Sequence, residues 1–115
     1  MNYTRCYDSM IELVEEASDK FGEGAMLNES KFDSLKYICK VTDRFIEEFE
    51  CESYEVSVDE IKKRFTIELV CAEVIFENGR SNEFFSLIQL LSSFSFSKKR
   101  TDCIRIVMNI DNMWR

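Results

Sequence analysis

The spacing of apolar residues in this 115-residue chain changes near residue 60 from a helical repeat to strict alternation, and that change constrains the fold class most. Before it, Tyr7, Met10, Ile11, Val14, Ala17 and Phe21 recur at helical spacing, with Glu12, Glu15, Glu16 and Asp19 on the opposite side. Gly22 is placed to end that helix, because glycine takes the left-handed conformation without a Cβ clash. A second stripe, Phe32, Leu35, Ile38, Cys39, Thr42, Phe45, Ile46 and Phe49, predicts a helix over 30–50. Ser30, with Asp33 three residues on, would open it as a variant capping box. Residues 23–29 separate the two stripes, a spacer short enough for an antiparallel helical hairpin.

After the change, Tyr54, Val56 and Val58 alternate with Glu55 and Ser57, the pattern of a half-buried strand. Phe65, Ile67, Leu69 and Cys71 repeat it, and the phase then slips around residues 70–72, with Val74 and Phe76 on the other parity. The slip suggests a bulge or two strands joined end to end. Asn78-Gly79 signals a tight hairpin turn. Residues 82–92 fit two readings, a buried strand returning across that turn or a helix of about three turns, and the spacing 84, 87, 88, 91 favours the helix. Phe94 with Phe96, and Ile104, Ile106, Met108 with Ile110, supply two further strands around a charged turn at 98–102. The expected fold is therefore α+β: an N-terminal antiparallel helical hairpin packed on a mainly antiparallel β-sheet, with a short helix inserted before the last two strands. No repeat, linker or low-complexity tract divides the chain, so residues 1–115 are read as a single domain.

Hydrophobic residues make up 45% and charged residues 32%, as in folded globular chains. No apolar run approaches the roughly 20 residues of a membrane span, and the first residues lack the pattern of a signal peptide, so a cytoplasmic protein without membrane attachment is expected. Three glycines and no proline leave no material for a glycine-rich phosphate loop, which removes the standard nucleotide-binding motifs.

Histidine is absent altogether. Catalytic triads that use imidazole, and zinc or haem sites held by it, are thereby excluded, and chemistry would fall to carboxylates, lysines and thiols. The five cysteines, Cys6, Cys39, Cys51, Cys71 and Cys103, include no Cys-x-x-Cys pair and are read as packing thiols. Asp59, Glu60 and Lys62 echo one end of a metal-dependent nuclease arrangement, the basis of an alternative reading as a metal-dependent carboxylate hydrolase. Short Glu-x-Lys spacings are common in charged chains, however, and Glu29-Ser30-Lys31 repeats this one. No metal, cofactor or catalytic residue is assigned.

Charge divides where periodicity does. Residues 1–60 carry 16 acids against 6 bases, and residues 61–115 carry 6 acids against 9 bases. Two basic runs, Lys62-Lys63-Arg64 and Lys98-Lys99-Arg100, could lie near one another at strand ends and together bind a phosphate-bearing partner. An isoelectric point near 4.7 and the lack of interleaved aromatics argue against direct nucleic-acid binding. An acidic helical face, by contrast, suits a basic groove on another protein. The expected function is thus non-catalytic protein binding, of the inhibitor, immunity, chaperone or regulatory type. Glu12, Glu16, Glu47 and Glu50 are its candidate contacts, and self-association stays open. Trp114, the single tryptophan, has two readings: a cap on the core or a further binding contact.

Overall fold

A computed structural model describes residues 5–49, 51–72 and 86–115. Two helices, α1 (Cys6–Phe21) and α2 (Glu29–Phe49), precede four strands: β1 (Ser53–Asp59), β2 (Arg64–Ala72), β3 (Ser93–Arg100) and β4 (Cys103–Ile110). The strands form one sheet in the order β1-β2-β4-β3, and every neighbouring pair is antiparallel. The fold class is the expected α+β arrangement, including a helical segment ahead of the last two strands. Residues 86–88 make a single helical turn, and Ser92 already donates its N–H to the Asn109 carbonyl (2.8 Å), committing the chain to the sheet. The expected helix over 82–92 is therefore cut short, since residues 89–92 are turn and irregular chain; residues 82–85, the Asn78-Gly79 turn, Val74 and Phe76 lie outside the described residues.

The helices cover one face of the sheet. Met10 and Val14 of α1 and Leu35, Ile38 and Phe45 of α2 meet Phe65, Ile67, Leu69, Ile106, Met108 and Ile110 in one buried cluster. The other face is largely polar: Thr66 Oγ1 donates to Asn109 Oδ1 (2.6 Å), whose amide donates to Ser93 Oγ (2.8 Å), a ladder across three strands. One-sided burial of this kind is what makes the alternation legible in an antiparallel sheet. At one end both faces are buried, since Val70 and Cys103 are 4% and 3% exposed on the side away from the helices. The phase slip at residues 70–72 has that cause. β2 keeps unbroken register with β1 through Val70 and with β4 through Ala72, and the shift in register falls in β3, between Lys98 and Arg100.

Gly22 ends α1 with φ at 78°, and its N–H donates to the Ser18 carbonyl (3.2 Å). Asn28, rather than Ser30, opens α2: its side-chain oxygen accepts the Lys31 N–H (3.4 Å), while Asp33 pairs with Lys36 (3.0 Å). The start of α1 is capped from a distance. Arg5, in the capping position, makes no side-chain bond there. Asp43 of α2 instead accepts the Cys6 N–H on Oδ1 (2.7 Å) and the Tyr7 N–H on Oδ2 (3.0 Å). Because the beginning of α1 meets the later half of α2, the hairpin is antiparallel. Burial pushes the Asp43 carboxyl above the ordinary carboxylate range, opposed by those two N–H groups and by Arg5.

The C-terminal tail closes the open end of the core. Met26 and Arg115 exchange backbone hydrogen bonds (3.2 and 2.7 Å), and Met113 N–H reaches the Lys63 carbonyl (3.2 Å). At the start of this tail Asp111 forms a two-pronged pair with Arg64, through Nε and through Nη2 (3.2 Å to Oδ2). That pairing pulls the Asp111 carboxyl below its ordinary range.

Leu35→Ala or Phe45→Ala should each destabilise the protein by roughly 2–5 kcal/mol in denaturant unfolding, from lost burial plus the cavity left behind. Asp43→Ala, which orphans two N–H groups at the start of α1, should cost about 1–3 kcal/mol, and Asp43→Asn, which keeps one acceptor oxygen, should cost less. The two perturbed acids act oppositely with pH. The contribution of Asp43, whose carboxyl is raised on folding, is complete below its unfolded pKa and lost as pH rises through its folded one. That of Asp111, whose carboxyl is lowered, is complete above the unfolded pKa and lost as pH falls through the folded one. Melting curves of Asp111→Asn should therefore fall below wild type at neutral pH and converge on it in strong acid.

Candidate functional site: the acidic face of the first helix

The outward side of α1 is a row of carboxylates. Asp8, Glu12, Glu15, Glu16 and Asp19 are all exposed, and their spacing puts them on one stripe of the helix. At 1.5 Å per residue the row runs about 16 Å from Asp8 to Asp19. α1 carries one base, Lys20, and its ammonium bonds Glu60 Oε1 in the β1–β2 turn (2.9 Å), which raises the lysine pKa. The stripe forms because the same helix must turn Met10, Val14 and Ala17 to the core, leaving its other side to water.

Of the expected contacts, Glu12 and Glu16 lie in this row. Glu47 does not. It sits on α2 beside Arg5 (3.9 Å) and lines a mixed-charge groove of about 510 Å³ with Tyr7, Tyr37, Lys40 and Arg44. The exposed side of α2 interleaves Glu29, Asp33, Lys40, Arg44, Glu47 and Glu48, so the acidic face belongs to α1 and not to both helices. Glu50 lies outside the described residues. Asp8, Glu15 and Asp19 join the row instead, and the signal for them was the same i, i+4, i+7, i+8, i+11 spacing in the sequence.

Trp114 is turned inward, at 3% exposure. Its ring meets Phe21 edge-on at 4.9 Å between centroids, and its Nε1–H donates to Ser18 Oγ (2.9 Å). Of the two readings of this residue, the geometry is that of a core cap, with the indole N–H satisfied as a buried tryptophan requires.

The remaining constellations separate in space. Asp59 Oδ1 accepts the N–H groups of Ile61 and Lys62 (3.0 and 3.1 Å), shaping the β1–β2 turn, and Glu60 faces Lys20. Among the described residues no group of three or more carboxylates or thiols is placed to hold a metal ion, and no helix is long and apolar enough to cross a membrane. The two basic runs are also apart. Arg64 begins β2 opposite the end of β4, whereas Lys98 lies opposite Ile104 at its start. That places them at opposite ends of the sheet, roughly 20 Å apart at 3.3 Å per residue. Nor are both runs free for a ligand: Arg64 is committed to Asp111, and Lys63 Nζ lies 5.8 Å from the centre of the Phe21 ring.

Comparison with protein-family models, with curated proteins and with solved structures finds no match to this chain.

Proposed function

We propose that this chain is a non-catalytic protein-binding protein, of the inhibitor, immunity, chaperone or regulatory type. It would present the carboxylate row of α1 to a basic surface on its partner. The observation that supports this is the exposure of Asp8, Glu12, Glu15, Glu16 and Asp19 along one stripe of α1, whose own single base, Lys20, is drawn to Glu60. A concentrated charge of one sign raises the rate of encounter with an oppositely charged surface and fixes its orientation, contributing more to association rate and specificity than to raw affinity.

The test replaces Glu12, Glu15 and Glu16 with Gln and Asp19 with Asn. Both forms would serve as bait in lysate of the native organism, and a partner retained by wild type would be purified for kinetics. Because all four side chains are exposed, each change should alter stability by no more than about 0.5 kcal/mol, leaving the melting curve close to wild type. Association should slow by about tenfold or more at low ionic strength. The gap should close near 1 M salt, where screening acts within about 3 Å. Equal association rates at low salt would overturn the reading.

A further inference from the structure

None of the five cysteines is in a disulfide, and two pairs of them lie side by side. Cys6 of α1 lies against Cys39 of α2 at the helix seam. Cys51, two residues before β1, lies against Cys71 of β2. The backbone pins this second pair. Glu52 N–H donates to the Val70 carbonyl (2.9 Å), joining the residue after Cys51 to the residue before Cys71. The Cys51 thiol also reaches the Phe45 carbonyl at the end of α2 (3.8 Å).

The pairs share a contact and differ in access. Cys6 and Cys39 are both sealed, at 0% exposure. Cys71 is sealed too, but Cys51 is only partly buried and open to solvent on one side. We infer that Cys51 and Cys71 form an oxidation site, in which Cys51 attacks a small-molecule disulfide and Cys71 resolves the product into an intramolecular disulfide. Access suits those roles, because Cys51 is the thiol that solvent reaches and Cys71 lies sealed beside it. Contact with Cys71 lowers the pKa of Cys51, whereas contact with Cys51 and burial raise that of Cys71.

In the first step the Cys51 thiolate forms a bond to one sulfur of the small disulfide, whose S–S bond breaks, and the released thiolate takes a proton from water. In the second, Cys71 bonds Cys51 Sγ as the Cys51–small-thiol bond breaks, and the departing thiolate takes the proton that Cys71 gives up. Two protein thiols are oxidised by two electrons, and one small disulfide is reduced to two thiols. The new bond would fasten the α2–β1 connection to a central strand of the sheet.

Oxidised glutathione is the probe. The folded chain would be incubated with it, quenched in acid, alkylated after unfolding, and mapped by mass spectrometry. Two thiols should be lost to a Cys51–Cys71 disulfide, at least about tenfold faster than any loss at Cys6 or Cys39, which react only after local opening. Cys71→Ser should halt at a glutathione adduct on Cys51, and Cys71→Ala gives the same readout if the serine impairs folding. Cys51→Ser should leave Cys71 reduced. Retention of all five thiols, a wild-type adduct on Cys51 that is not resolved, or oxidation of Cys6 and Cys39 at a similar rate would each overturn the inference.

Discussion

Asp43 holds the helical layer together in a way neither helix manages alone. The first N–H groups of any helix need acceptors from outside it, and Arg5 offers none to α1. Asp43 answers from the neighbouring helix with one oxygen for Cys6 and one for Tyr7, so a local requirement is met by a contact 36 to 37 residues away. The same two bonds align the start of α1 with the later half of α2. They therefore help to set the direction of the hairpin as well as capping it. The carboxylate sits in a costly place, and its raised pKa records that cost. The two N–H bonds and the positive end of the helix offset part of it.

At its other end α1 is held by the tail. Trp114 rests edge-on against Phe21 and bonds Ser18 in the last turn of the helix, while Gly22 turns the chain away. The tail is secured in turn from both sides, by Met26 of the interhelical loop and by Lys63 of the β1–β2 turn. Three connections distant in sequence thus meet over one end of the core. Burial of the indole accounts for a tryptophan in a position where the sequence alone also admitted a binding contact.

Most of the fold was legible in the sequence because most of it is set by one-sided burial. Period and phase located both helices, β1 and β4 to within a few residues, as at Tyr54, Val56 and Val58 or Ile104, Ile106 and Met108. Legibility ended where that condition failed. Val70 and Cys103 are buried on the polar side of the sheet, and their burial imitates a bulge in the pattern. Asp43 was invisible because a polar residue on the inner side of a helix reads as noise until its distant acceptor role is seen. The opening of α2 moved to Asn28 for a smaller reason: several side chains near a helix start can cap, and backbone geometry selects among them. Strand order lies beyond periodicity. Placing β4 between β2 and β3 is what parts the two basic runs.

The surface proposed to bind gains from the same construction. A row of like charges on a flexible segment would spread apart through self-repulsion, and ordering it on a partner would cost conformational entropy. In α1 the carboxylates ride on a helix capped by Asp43 at one end, held edge-on by Trp114 at the other, and seated on the core by Met10, Val14 and Ala17 between. Their backbone spacing is set before any encounter. Only side-chain freedom is left to lose, so the repulsion among neighbouring acids is carried by the folding energy of the domain instead of being charged to the complex. Capping and core packing thus hold the row in the arrangement that a fixed pattern of cations on a partner would read.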